Sequence, residues 1–246
     1  MKTTQSRFYS LILLVMIHLP VFGGDAARIL NKMDAVLFAS EDQKNTIEMV
    51  LIDRNGNERT REAMVWQKGA DKRLFRFTAP AGEAGIAFLS LPDDVMYLYM
   101  PAFGRERRIA SHVKNQSFAG TDFSYEDLES VKYSEKYAPK LLEETEEHYI
   151  IELKPLPDVQ SDYSKVIAHV NKANYYPEIM KSYDRGGQKV KIAEYTFDRQ
   201  DGYWYMQEVF MTNLNRDHRT RMTFKEVQFD TGIDDQVFTV RNLTRY

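Results

Sequence analysis

The chain of 246 residues contains no cysteine. This absence excludes a disulfide framework, zinc sites with thiolate ligands and a cysteine nucleophile. It also excludes attachment of a lipid to an N-terminal cysteine, so we expect a mature protein that is not tethered to a membrane. The net charge is −3, which argues against a nucleic-acid partner because such a partner favours a strongly basic face.

The sequence also lacks the motifs of common enzymes. It has no Gly-x-Ser-x-Gly elbow, and the stretches 82–85 and 186–187 lack the lysine or the glycine spacing of a phosphate-binding loop. The histidines beyond residue 24 are scattered and show no metal-ligand spacing: His112, His148, His169 and His218. We therefore expect no catalytic residue, no metal site and no cofactor, and we predict that the protein is not an enzyme.

Two carboxylates are the best candidates for a functional acid. Asp122 and Asp127 lie among apolar residues that could perturb their ionisation. Aspartate is also common at helix N-caps, and capping of a short helix at 125–130 is the favoured interpretation. The acidic run at 143–147 is interpreted as a solvated face.

Residues 1–24 have the pattern of a secretory signal peptide. Lys2 and Arg7 precede the apolar run 11–17, and small residues follow at Gly23 and Gly24. The apolar run is shorter than the roughly 20 residues that cross a bilayer, and an uncleaved N-terminal anchor is the alternative. An exported chain without cysteine fits a bacterial periplasm better than a eukaryotic secreted domain. We expect a periplasmic protein with one domain at 25–246.

The pattern of apolar residues predicts one helix followed by many strands. Residues 25–39 repeat apolar side chains on one helical face, with Asp25 as a plausible N-cap. Period-two stretches joined by turn signals such as Asn55-Gly56 then predict strands, at 46–52, 58–68, 72–78, 86–91, 95–100, 105–110, 149–153, 165–171, 176–183, 188–197, 203–214 and 220–229. Residues 233–243 are predicted to form a final turn and strand that buries Phe238. This pattern is typical of a mainly β (α+β) fold built on a large, curved or half-closed antiparallel sheet.

Aromatic residues concentrate in two groups. The first is Trp66, Phe75, Phe77, Phe88, Tyr97, Tyr99, Phe103, Phe118, Phe123 and Tyr125, and the second is Tyr195, Phe197, Tyr203, Trp204, Tyr205 and Phe210. A packed core is one interpretation. A wide sheet with a single sizeable helix is also suited to leave an apolar cavity for a lipid or acyl chain. On that interpretation the first group, apart from Phe103, lines the cavity, and segment 111–130 is a lid that inserts Phe118, Phe123 and Tyr125.

A basic cluster lies at Arg105, Arg107 and Arg108, with Arg73 and Arg76 nearby in sequence. A solvated strand face is the ordinary interpretation. A site for a lipid headgroup or an acidic partner is the functional one, because guanidinium holds phosphate and carboxylate with two hydrogen bonds.

These residues resemble a known family. The run from Trp66 to Pro80, followed by Tyr97-Leu98-Tyr99-Met100-Pro101, is similar to the strand pattern of LolA-like carriers. Residues 118–128 resemble the signature of its outer membrane lipoprotein-sorting branch, and residues 233–238 are similar to the family's last strand. The resemblance implies a half-open β-barrel with a helical lid, a periplasmic role in carrying lipidated cargo, and an association with exporters of the resistance-nodulation-division class. The family's Arg-Pro pair after the strand tryptophan is Gly69-Ala70 here, so we expect the lid to close differently or the cargo to be a lipid.

Two functions follow as hypotheses. The first is a periplasmic carrier that binds lipid or lipoprotein acyl chains in a hydrophobic half-barrel, acts as a monomer and performs no covalent chemistry. The alternative is a non-enzymatic accessory subunit that docks an inner-membrane exporter of the envelope through its outer face.

Overall fold

Thirteen strands and three α-helices account for most of residues 22–245, the part of the chain that the computed structural model describes. The strands are β1 Asp42–Ile52, β2 Glu58–Lys68, β3 Lys72–Ala79, β4 Ala87–Leu91, β5 Val95–Met100, β6 Arg105–Arg108, β7 Tyr137–Glu144, β8 His148–Pro155, β9 Tyr163–Asn171, β10 Pro177–Asp184, β11 Lys189–Gln200, β12 Tyr203–Asn213 and β13 His218–Phe229. The helices are α1 Phe22–Leu37, α2 Tyr133–Lys136 and α3 Val240–Leu243, and 3-10 turns lie at Pro101–Phe103, Ser111–Val113 and Asp235–Phe238. Nearly all of the predicted signal peptide lies outside the described residues.

All the strands join in one antiparallel sheet with the order β6-β5-β4-β3-β2-β1-β13-β12-β11-β10-β9-β8-β7. The sheet is two meanders, β1 to β6 and β7 to β13, which meet where β1 pairs with β13. It is curved and does not close, because β6 and β7 lie at opposite edges. The chain between these edges must therefore cross the sheet, and residues 109–136 do so over the concave face. The predicted fold class is confirmed.

Helix α1 packs on the concave face against β7 and β12. Its buried apolar side chains, Ala26, Ile29, Leu30 and Met33, have the spacing of one helical face. The predicted helix is confirmed, but it begins at Phe22, so the assignment of Asp25 as N-cap is wrong. Asp25 lies inside the first turn and pairs with Arg28 at 2.8 Å.

Two predicted elements differ from the structure. Residues 125–128 form a turn and not a helix; Ser124 and Asp127 exchange the hydrogen bonds of a capping box, but no helix follows. The helix forms only at Tyr133, where the buried Asp34 of α1 accepts from the backbone N–H groups of Tyr133 and Ser134 at 2.8 and 2.9 Å. Segment 111–130, the predicted helical lid, is thus irregular apart from one 3-10 turn, and a single helical turn follows it at Tyr133–Lys136. Residues 235–243 form a 3-10 turn and α3 in place of the predicted strand, although Phe238 is buried as expected.

Apolar side chains cover both faces at one end of the sheet. The main core occupies the concave face beneath α1 and residues 109–136. A smaller cluster lies on the convex face, where Ile233, Phe238 and Leu243 of the C-terminal segment pack on Leu74 and Leu89. Because side chains alternate between the two faces of a strand, residues adjacent in sequence belong to different cores.

Candidate functional site: an apolar cavity beneath the crossing segment

A cavity of about 220 Å³ lies between the concave face of the sheet, the end of α1 and residues 123–137. Its wall on the sheet side comes mainly from β9 to β13, with contributions from β1 to β3. The apolar part of the wall includes Val166, Met180, Met206, Val209, Met211 and Met222. Methionine fills irregular space and adapts its shape, so this wall suits a flexible apolar ligand.

Six rings of the first aromatic group pack together on the concave face next to the cavity: Phe75, Phe77, Phe88, Phe118, Phe123 and Tyr125. The ring of Phe118 contacts those of Phe75 and Phe77, with centroid distances of 5.2 and 5.4 Å, and Tyr125 packs on Phe88 at 5.8 Å. These rings have at most 7% of their surface exposed. Of the predicted ligand-binding residues, only Phe75 and Phe123 line the cavity.

Trp66, Tyr97 and Tyr99 do not join the other predicted residues. They pack in the convex cluster with Leu74 and the C-terminal segment. Their immediate neighbours Val65, Met96 and Leu98 point to the concave core. Because successive side chains of a strand point to opposite faces of the sheet, the position of a residue along its strand decides which face it covers. The concentration of aromatic residues in the sequence therefore does not separate those on the concave face from those on the convex face.

Four rings of the second aromatic group also line the cavity. Tyr195, Phe197, Trp204 and Tyr205 contribute to its wall. The prediction of site residues did not include them, although their sequence cluster was apparent. The other tyrosines of the wall, Tyr133, Tyr137, Tyr163 and Tyr176, come from elements far away in sequence, and no local pattern identifies them.

Arg73 fastens the crossing segment over the cavity. Its guanidinium donates to the backbone carbonyls of Leu128 and Glu129 at 3.1 and 3.4 Å, and to the side chain of Gln67 at 2.6 Å. Burial lowers the pKa of Arg73 to about 10, which leaves it charged at neutral pH. The family's Arg-Pro position is Gly69-Ala70 here, and the arginine that reaches the segment lies four residues after Gly69.

Three further contacts attach the same segment to the sheet. Arg61 on β2 donates to the carbonyl of Ala119 at 2.7 Å. The carboxylate of Asp122 accepts from Thr220 at 2.7 Å and lies 2.6 Å from Nδ1 of His218, both on β13. Asp122 thus joins the segment to β13 and caps no helix, which corrects its expected role.

Paired charges form the polar end of the cavity. Lys136 lies 2.8 Å from Glu129 and 3.2 Å from Glu126. Asp127 lies 2.6 Å from Lys191 and accepts from the hydroxyl of Tyr163 at 2.8 Å. Burial tends to raise the pKa of Asp127, but Lys191 and the hydrogen bonds from Ser124 outweigh it and hold the pKa below its usual value. The cavity therefore has an apolar body and an ionic end.

The predicted basic cluster lies away from the cavity. Arg105, Arg107 and Arg108 are exposed on β6, an edge strand, and Arg107 lies 4.8 Å from the ring centre of Phe103, which is 55% exposed. Arg76 is on the convex face, where it donates to the carbonyl of Asn242 at 2.7 Å. The five arginines thus separate into three locations, with Arg73 alone at the cavity.

Within residues 22–245 no three histidine, aspartate or glutamate side chains are grouped so that they could hold a metal ion. In the same part of the chain no helix is long and apolar enough to cross a membrane.

Residues 69–245 match the model of a protein family described as "-like: Uncharacterized protein". No curated protein matches the sequence. Among solved structures, a candidate outer membrane lipoprotein-sorting protein domain from Vibrio parahaemolyticus is 29% identical with a TM-score of 0.84, over 91% of this chain and 100% of that one.

Two other solved structures extend the similarity. A DUF1329 family protein from Desulfovibrio piger is 25% identical with a TM-score of 0.84, over 90% of this chain and 99% of that one. A LolA superfamily protein from Nitrosomonas europaea is 23% identical with a TM-score of 0.73, over 87% and 97% of the two chains. Because its sequence identity is low, the match to the Nitrosomonas europaea protein supports the similarity of fold and nothing further.

Proposed function

The chain belongs to the family whose model matches its residues 69–245, and from this premise and its similarity to an outer membrane lipoprotein-sorting domain we propose that it is a periplasmic carrier of lipid or lipoprotein acyl chains. The carrier binds its cargo without covalent chemistry and works as a monomer with one domain at 25–246. Residues 1–24 direct its export and are removed.

The cavity is the observation that supports this proposal. It lies on the concave face of an unclosed sheet, and its wall is mostly apolar. Each methylene transferred from water into such a site contributes about 0.8 kcal/mol. A single chain of modest length therefore binds with useful affinity.

The size of the cavity indicates that this conformation is a closed one. Its volume of about 220 Å³ is below the roughly 300–1,000 Å³ of sites that enclose drug-sized ligands. The space suits one short chain, and a larger lipid requires the crossing segment to move away. The bonds from Arg73 to the carbonyls of Leu128 and Glu129 are the ones that such a movement breaks.

Native mass spectrometry of the protein purified from a bacterial envelope tests the proposal. We expect adducts with the masses of lipids or acyl chains. The variant Ala193→Leu narrows the cavity, because Ala193 is buried in its wall, and we expect fewer adducts. Leu142→Ala, at an exposed position on β7, is the matched control. A protein that carries no adduct from several hosts contradicts the proposal.

The basic edge strand supports a second candidate function. All four residues of β6 are exposed, three of them are arginines, and the exposed Phe103 lies beside them. Edge strands carry unpaired backbone groups that a partner can use. An accessory subunit that docks an inner-membrane exporter through this edge would need no ligand in the cavity. Loss of partner binding on charge reversal in β6 is its test.

A further inference from the structure

Two tyrosine hydroxyls converge on one point inside the cavity. Tyr133 on α2 and Tyr195 on β11 each donate to the Sδ atom of Met180, at 3.6 and 3.8 Å. All three side chains belong to the cavity wall. Among residues 22–245, this sulfur is the only acceptor that either hydroxyl reaches. A thioether is a weak acceptor, so both hydroxyls lack a strong partner.

Both hydroxyls are donors under ordinary conditions. Burial raises the pKa of Tyr133 to about 12, despite the nearby cations Lys136 and Arg73. Burial also raises the pKa of Tyr195 well above its usual value. A buried hydroxyl without a strong acceptor is unfavourable. A ligand oxygen placed near the sulfur would relieve this deficit for both groups at once.

The charges around the hydroxyls favour an oxygen acceptor over a donor. Arg73 lines the same cavity and forms no ion pair with a carboxylate within residues 22–245. The acidic groups at this end, Glu126, Asp127 and Glu129, are already paired with Lys136 and Lys191, and the carboxylate of Asp34 accepts from two backbone N–H groups of α2. Beyond the hydroxyls the wall is apolar, with Val209, Met211 and Met222. The arrangement matches a chain that carries an oxygen at one end.

We propose that the cavity binds one fatty acyl chain whose carbonyl or carboxylate oxygen accepts hydrogen bonds from Tyr133 and Tyr195 in place of Met180. This inference rests on the carrier function proposed above and names the chemistry of its ligand. The flexible side chain of Met180 turns aside, and the tail lies along the methionines of β12 and β13. A free fatty acid and an acyl ester share this oxygen.

Tryptophan fluorescence provides the test. The chain has two tryptophans; Trp204 lines the cavity, whereas Trp66 packs on the convex face. In a Trp66→Phe background, Trp204 reports binding of decanoate and of methyl decanoate. We expect Tyr133→Phe with Tyr195→Phe to weaken binding by roughly tenfold or more, because two hydrogen bonds to an oxygen are lost. If the double variant loses affinity equally for both probes, the natural ligand is an esterified chain. If it loses affinity for decanoate alone, the natural ligand is a free acid.

Two further variants keep the test decisive. Tyr183→Phe also removes a tyrosine hydroxyl on β10, but Tyr183 is not part of the cavity wall, so we expect wild-type affinity. Met180→Leu removes the sulfur that the hydroxyls use in the empty protein, and we expect affinity to rise a few-fold. Wild-type affinity in the double tyrosine variant, or no binding of either probe to the unmodified cavity, overturns the inference. The carrier function is judged separately, by the mass of lipid that co-purifies.

Discussion

The guanidinium of Arg73 on β3 donates to the backbone carbonyl of Leu128 at 3.1 Å, across 55 residues of sequence. Arg73 lies in the wall of the cavity, and Leu128 lies in the segment that covers it. This hydrogen bond therefore joins the sheet wall of the cavity to the crossing segment. The bond must break if the crossing segment moves away from the sheet.

Replacing Arg73 should weaken the attachment of the crossing segment to the sheet. In Arg73→Met the carbonyls of Leu128 and Glu129 lose their donor, so we expect faster hydrogen exchange in peptides spanning 118–131 and faster exchange of bound lipid. A charge-assisted hydrogen bond is worth about 1.5–3 kcal/mol, which sets the expected loss of stability. Arg76→Met is the control, because Arg76 bonds to Asn242 on the convex face. Unchanged exchange at 118–131 in Arg73→Met would show that other contacts hold the segment.

Phe118 should contribute most of the packing between the crossing segment and the sheet. Its ring is fully buried and contacts the rings of Phe75, Phe77 and Tyr125. Phe118→Ala should lower the free energy of unfolding by about 3–5 kcal/mol. The exposed Phe103 is the control, and Phe103→Ala should change the free energy of unfolding by less than about 0.5 kcal/mol. Urea denaturation measures the free energy of unfolding of both variants. A similarly small change in the two variants would mean that Phe118 contributes little to the packing of the crossing segment on the sheet.

Strand positions could be predicted where turn chemistry and alternation agreed. β2 is observed at Glu58–Lys68, as predicted from the Asn55-Gly56 turn and the period-two pattern. β7 was not predicted, because Pro139 and the acidic run after it are untypical of a strand. Proline is tolerated on an edge strand, and β7 is an edge of the sheet. The missing information was the position of the strand in the sheet.

The position of the cavity could not be predicted from the sequence. The aromatic residues left a packed core and an apolar cavity as alternatives, and six rings of the first group pack against one another on the concave face. The wall combines Met180 and Tyr195, which are 15 residues apart on neighbouring strands, with Tyr133, which is 47 residues before Met180. Their contact depends on the pairing of β10 with β11 and on the hydrogen bonds from α2 to Asp34. The stretch 184–187 between two predicted strands is a local turn signal for the pairing of β10 with β11, whereas the hydrogen bonds from α2 to Asp34 have no local signal.

The pair of Asp127 and Lys191 should make stability depend on acid pH. The pKa of Asp127 is held below its usual value in the folded protein. The stabilisation is therefore present above the unfolded pKa, about 4, and is lost as pH falls through the lower folded pKa. We expect Asp127→Asn to cost about 3–5 kcal/mol near pH 7, because a buried cation loses its partner. Thermal unfolding from pH 7 down to pH 3 should show that difference shrinking; a constant difference would contradict the assignment.

Charge reversal on the β6 edge separates the two proposed functions. Arg107 and Arg108 are exposed and distant from the cavity wall, so Arg107→Glu with Arg108→Glu should leave lipid uptake unchanged and stability within about 0.5 kcal/mol. If this edge docks an acidic face of an exporter, the same variant should lose binding to inner-membrane vesicles that carry the exporter.

A matched control is available on the opposite half of the molecule. Arg216→Glu with Arg219→Glu reverses the same number of charges at exposed positions around the turn from β12 to β13. Because exposed charges far from an interface contribute little, this control should bind the vesicles like the wild type. Loss of vesicle binding in both variants would indicate a response to net charge. Loss in neither variant would leave the acyl chain as the partner that the structure supports.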